Sequence, residues 1–142
     1  MNRIEILSNL WIGYLSSSNN EKYNNICNIK ILIDFEKDIN FLGNHQKYNS
    51  HISNNIYKYE ILKMYEYLVE TTDFIYKNLI NNNGIFIFCK DLQKSSTVIL
   101  AYIIKYGNMN KETAIEIIKS KCNIPELKYL YSLEMFEKNI SV

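Results

Sequence analysis

Residues 85–106 constrain the fold more than any other stretch. Ile85-Phe86-Ile87-Phe88 is a continuous apolar run of the kind found in a strand covered on both faces. A polar loop from Cys89 to Lys94 follows, and Ser95-Ser96-Thr97 opens a helix that runs through Tyr106. Val98, Ile99, Leu100, Ala101, Ile103 and Ile104 make that helix apolar nearly all round, which places it at the centre of the domain. A buried strand, a short loop and a buried helix N-terminus bring backbone amides together at the positive end of a helix dipole, an anion site in principle. The same field lowers the pKa of a thiol at the strand end. Cys89 stands there, and is either a nucleophile or a structural thiol.

The flanking segments predict an α/β domain. Ile4–Leu7 and Leu10–Ile12 read as short strands around Ser8-Asn9, and Glu21–Cys27 as a helical stretch. Lys30–Phe35 is a buried strand, Glu36–Asn55 is polar and irregular, and Ile56–Ile61 alternates enough to be a further strand. From Met64 to Ile80 apolar residues recur at helical spacing, with Met64, Leu68, Thr71, Ile75 and Leu79 on one face. Gly84 is expected to stop that helix in the left-handed conformation, and Gly107 to stop the central one. Asn110 caps a helix over Lys111–Lys121, and Pro125 lies in the first turn of a last helix over Glu126–Lys138. No repeat or linker divides the chain, so residues 1–142 form a single domain.

Composition narrows the function classes. Of the 142 residues 47% are hydrophobic, enough for a real core, and the 16 Lys and Arg against 15 Asp and Glu leave a net charge of +1. That balance argues against nucleic acid or an anionic membrane as the main partner. Cys27, Cys89 and Cys122 are scattered, and His45 and His51 lie in a polar stretch, so no metal or other cofactor is expected. No leader and no membrane span is visible, and the expected location is the cytoplasm.

The order of elements around Cys89 resembles the dual-specificity branch of the cysteine-dependent protein phosphatases, and in particular its small stand-alone type found in poxviruses. In that family the apolar strand ends in His-Cys, a short loop follows, and Arg then Ser or Thr open the buried helix. Ile85–Cys89 is similar to that strand, Ser96 to the hydroxyl, and Thr97–Tyr106 to the helix. Leu10-Trp11-Ile12-Gly13, Ile31–Asp34, Tyr67-Leu68 through Asp73-Phe74-Ile75, and Lys111–Lys121 with Ala114 resemble further family elements in the same order. The resemblance implies a central mixed sheet of about five strands flanked by helices. It makes Cys89 the nucleophile position, with Lys90, Asp91, Leu92, Gln93, Lys94, Ser95 and Ser96 as the phosphate loop.

The departures from the family pattern fall on the groups that bind and cleave a phosphate ester. Phe88 occupies the His position and cannot hydrogen-bond the loop. Leu92 occupies the loop Gly position, where it is expected not to adopt the angles glycine allows. Ser95 occupies the Arg position without the charge or the bidentate fork. Asp91 adds a negative charge where a dianion would sit, and Lys90 and Lys94 are expected to be solvated rather than to replace the Arg. No Asp occurs between Asn40 and Thr72, where the family carries its general acid, and Glu60 is expected in a strand. These losses imply a pseudophosphatase with Cys89 vestigial, acting through a protein partner, with a phosphoprotein as one class, or as a scaffold. The alternatives are residual phosphatase activity through Cys89 and a structural role, with a homodimer left open. If the chain is viral, its place is the host cytoplasm.

Overall fold

The computed structural model of the protein describes residues 3–14, 24, 27–34, 46–49, 58–89 and 92–140. Five strands, β1 (Arg3–Leu7), β2 (Leu10–Tyr14), β3 (Ile29–Asp34), β4 (Gln46–Asn49) and β5 (Gly84–Cys89), form one sheet in the order β1-β2-β5-β3-β4. β1 and β2 pair antiparallel, while β5 is parallel to both β2 and β3, and β4 is parallel to β3. This is the mixed five-stranded sheet that the resemblance implies. β4 lies in the segment expected to be irregular, because four polar residues on a sheet edge carry no apolar signal.

Alternation along the strands sorts side chains between two faces. Ile6, Ile12, Ile31, Ile33, Ile85 and Ile87 face the main core, and each buried aliphatic there contributes roughly 1.5–3 kcal/mol. Phe86 and Phe88 point the other way into a small second core with Ile29, Trp11 and Cys27. Ile29 and Ile31 lie on different faces because the β3–β5 register is irregular between them.

Four helices cover the main core: α1 (Lys58–Ile80), α2 (Gln93–Tyr106), α3 (Lys111–Lys121) and α4 (Leu130–Ile140). α2 is the central one, packed against β5, α1, α3 and α4, and its residues from Gln93 to Ile104 are all buried. α3 has the expected bounds and cap, with Asn110 Oδ1 accepting from the Thr113 amide at 2.8 Å. Residues 58–61, expected as part of a strand, are instead the first turn of α1, so Glu60 is helical. The last helix starts at Leu130 rather than Glu126, leaving Pro125 outside it. Of the helical stretch expected over Glu21–Cys27, Asn24 is helical, Cys27 lies in a turn, and the remainder falls outside the described residues.

The turns at the far end of the sheet from the loop after β5 use asparagine in the left-handed conformation, and after α1 it is Asn82, not Gly84, that does so. Asn9, Asn28 and Asn82 have φ of 67°, 59° and 60°. They also bond to each other: Asn9 Nδ2 donates to Asn82 Oδ1 at 2.9 Å, and Asn28 Nδ2 to the Asn82 carbonyl at 3.0 Å. Gly84 is not the left-handed stop after α1 but the first residue of β5. A Cβ there would lie 2.2 Å from the Asn28 carbonyl oxygen, so glycine is required by close approach. Gly107 ends α2 as expected, capping it in a right-handed conformation at φ −88°, and Asn108 follows in the left-handed one at φ 53°.

Candidate functional site

β5 is the middle parallel strand, and the carboxyl ends of β2, β3 and β5 lie together, with Tyr14 opposite Cys89 and Asp34 opposite Phe88. In an α/β sheet that edge is where ligands bind. Cys89 ends β5 there as expected. Lys90 and Asp91 lie outside the described residues.

Leu92 corrects one sequence expectation. It adopts φ 65°, ψ 5°, the left-handed conformation reserved above for glycine, at the position before α2. A non-glycine residue there costs about 1–2 kcal/mol. The side chain is 5% exposed and belongs to the main core, so burial offsets the strain. The turn from strand to helix therefore keeps a glycine-like shape without a glycine.

Gln93 holds the next position in place. Its Nε2 donates to the Glu126 carbonyl at 2.7 Å and its Oε1 accepts from the Lys128 amide at 2.9 Å. The amide thus satisfies both a donor and an acceptor of the chain between α3 and α4. Lys94 is 2% exposed, which overturns its expected solvation. Ser95 and Ser96 are fully buried. Ser96 Oγ has no hydrogen-bond partner among the described residues, an unusual state for a buried hydroxyl. The Leu92 carbonyl accepts from the Ser96 amide at 3.0 Å, but its side chain has no oxygen to cap the helix, and the first turn of α2 carries no acid.

Phe88, at the family's His position, is fully buried in the second core, 5.5 Å from Phe86 between ring centroids. The sequence contains a single arginine, Arg3. Its guanidinium lies 4.4 Å above the Phe86 ring and donates to Asn24 Oδ1 at 2.7 Å, on the same face.

Sequence reasoning missed a polar network at the other end of α2. Asp73 Oδ1 of α1 accepts from Lys105 Nζ at 2.8 Å and from the Tyr106 hydroxyl. Tyr76 stacks on Tyr106 at 4.3 Å, within 7° of parallel. The hydrogen bonds from Lys105 and Tyr106 hold the Asp73 carboxyl below its ordinary pKa, while burial and then the Asp73 bond push the Tyr106 phenol up. No local pattern announces this network, since Asp73 is 32 and 33 residues from its two partners in sequence. An open cavity of about 490 Å³ also lies at that end, lined by Ile104, Lys105 and Asn108 among others, and is not part of the loop after β5. Among the described residues no group of His, Cys, Asp and Glu could hold a metal ion, and no helix is long and apolar enough to cross a membrane.

A mixed sheet whose middle parallel strand ends in cysteine and turns through a left-handed residue into a buried helix is the architecture of the cysteine-dependent phosphatases. The model of the dual specificity phosphatase catalytic domain matches residues 10–139, and the chain belongs to that family. It is 25% identical to a protein of Invertebrate iridescent virus 6 named as a tyrosine phosphatase, 123R, over 97% of this chain and 94% of that one. Human DUSP28 superposes with a TM-score of 0.88 at 11% identity, over 100% of this chain and 97% of that one. The human tyrosine phosphatase-like serine/threonine/tyrosine-interacting protein does so with a TM-score of 0.86 at 18% identity, over 99% of each.

Proposed function

We propose that this protein is a pseudophosphatase, a phosphatase-fold domain that acts by binding a protein partner and does not hydrolyse phosphate esters. The observation that carries this reading is the missing guanidinium. Ser95 stands at the Arg position, fully buried, and the chain's single arginine is engaged on the opposite face of the sheet with Phe86 and Asn24. Losing one preorganised electrostatic donor costs about 10²–10³-fold in rate, and losing the leaving-group acid a further 10²–10⁴-fold. Phe88 in place of His takes away a hydrogen bond to the loop as well.

One structural neighbour is named as a phosphatase-like, interacting protein, and that name supports a partner-binding reading. We place the protein in the cytoplasm, that of the host if the chain is viral, a reading supported by the viral relative. Phosphoproteins are the partner class that a surviving amide cradle would favour.

A second reading, residual phosphatase activity through Cys89, draws on the glycine-like turn at Leu92 and the buried hydroxyl of Ser96. Turnover of an aryl phosphate and of phosphotyrosine and phosphothreonine peptides separates the two. The expected result is no release of phosphate above buffer, unchanged in Cys89→Ser. Activity that Cys89→Ser abolishes would overturn the proposal.

A further inference from the structure

Asn83-Gly84 is the only Asn-Gly step in the chain. An asparagine side-chain carbonyl lies within ring-closing reach of the next residue's amide nitrogen, and a glycine there adds no side chain to block the approach. Closure forms a bond from that nitrogen to the asparagine Cγ and breaks the Cγ–Nδ2 bond. Ammonia leaves, carrying the amide proton. Water then opens the ring at either carbonyl. Opening at Cγ gives an aspartyl residue, and opening at the main-chain carbonyl gives an isoaspartyl residue, in which the chain runs on through the side chain.

The fold holds the reacting groups in other bonds. Gly84 N, the nucleophile, donates to the Asn28 carbonyl at 3.0 Å, and the two main chains are so close that a Cβ on Gly84 would lie 2.2 Å from that oxygen. The nitrogen has no room to turn toward Asn83 Cγ. On the other side α1 ends with the Asn83 amide donating to the Asn78 carbonyl at 2.9 Å and the Asn82 amide to the Leu79 carbonyl at 3.0 Å. Asn28 Nδ2 holds the Asn82 carbonyl, Asn9 Nδ2 holds the Asn82 side chain, and the Ile85 amide donates to the Asn9 carbonyl at 2.7 Å. Three turns thus clasp the peptide units on both sides of Asn83.

This clasp can open without the core. Its side-chain bonds are exposed, so water competes for each of them. Asn82 is exposed and Asn83 half-buried, which places this end among the parts of the domain that open at low free energy. We propose that Asn83 is a site of spontaneous, irreversible modification, at which the Gly84 nitrogen displaces ammonia whenever the clasp of Asn9, Asn28 and Asn82 opens. The isoaspartyl product has an extra main-chain atom ahead of Gly84, so Gly84 and Ile85 cannot both regain the Asn28 and Asn9 carbonyls. β5 is paired on both sides, and a shift at its first residue misaligns it against β2 and β3. A chain that has opened here and reacted is thereby kept from closing again, whatever the loop after β5 does with phosphate.

The test incubates the full chain in mildly alkaline buffer, with and without urea. Peptide mass spectrometry with chromatography separates the asparaginyl, aspartyl and isoaspartyl forms of residue 83. Conversion is expected there ahead of every other asparagine, and at least about tenfold slower in buffer than in urea. Asn9→Gly with Asn28→Gly removes the side-chain bonds while leaving the left-handed angles unstrained, and should raise the rate in buffer at least about threefold. Circular dichroism confirms that this variant is folded; if it is not, the wild-type rates in buffer and urea still decide. Asn83→Asp supplies the new charge without the extra atom. It should unfold near the wild-type urea concentration, and the purified isoaspartyl form at a lower one. Equal rates in buffer and urea, an unchanged rate in the folded double variant, or an isoaspartyl form as stable as Asn83→Asp would each overturn the proposal.

Discussion

The two ends of α2 solve the same problem in opposite ways. At its C-terminal end every group of the polar network has a partner: Asp73 is shared by Lys105 and Tyr106, and Tyr76 closes over the phenol. At its N-terminal end Leu92 holds a strained angle and makes no side-chain cap, and the Ser96 hydroxyl has no partner among the described residues. A stability-optimised helix would look like the first end throughout. Strain and orphaned polar groups persist where a ligand site stood or stands, because a site needs unspent hydrogen-bonding capacity.

Substitutions sharpen this contrast. The largest effect is expected at Leu92. Leu92→Gly relieves about 1–2 kcal/mol of left-handed strain, but it deletes a buried side chain whose loss costs about 2–5 kcal/mol. Burial wins, and denaturant unfolding should show a net loss of about 2 kcal/mol. A stabilised Leu92→Gly protein would mean that the side chain is not packed in the core.

Asp73→Asn should cost less, about 0.5 kcal/mol, because the carboxylate is half exposed to screening solvent. Its folded pKa lies below the ordinary 3.8, so its contribution is complete above that value and disappears as pH falls through the depressed folded pKa. The stability difference between wild type and Asp73→Asn should therefore be constant near neutrality and close in acid below pH 3.8. Ser96→Ala is expected to move stability least, within about 0.5 kcal/mol and toward greater stability, since it removes a buried hydroxyl that has no partner among the described residues. A loss of more than about 1 kcal/mol would show that the hydroxyl is satisfied after all.

Where apolar periodicity was strong, the sequence was legible. β5 and α2 stand within two residues of their expected bounds because burial on all sides leaves a local signature, and α3 stands on its expected bounds because Asn110 caps it. Ile56, Tyr57, Tyr59 and Ile61 are good strand formers by composition, yet the chain from Lys58 onward is helical, so local propensity does not mark the start of α1. The delayed start of α4 has a definite cause. Pro125 and Glu126 look like a helix opening, yet the Glu126 carbonyl and the Lys128 amide are taken by the side chain of Gln93, more than thirty residues earlier. No window of local sequence contains that contact. The candidate site divides in the same way: Cys89 and the helix after it were visible as a pattern, while the left-handed angle of Leu92 and the burial of Lys94 follow from closing the chain around them.

Gly84 begins β5 with its backbone against that of Asn28, and an added methyl would collide with main-chain atoms that have no rotamer to escape into. β5 is paired on both sides, so a displacement at its start is carried to Cys89, about 16 Å along the strand at 3.3 Å per residue. At Leu92, by contrast, a residue with a side chain stands in the left-handed place usually kept for glycine, and the strand still turns into its helix. In a descending lineage, natural selection would then filter hardest at a residue that touches no substrate, and the chain could lose its chemistry long before it lost its shape.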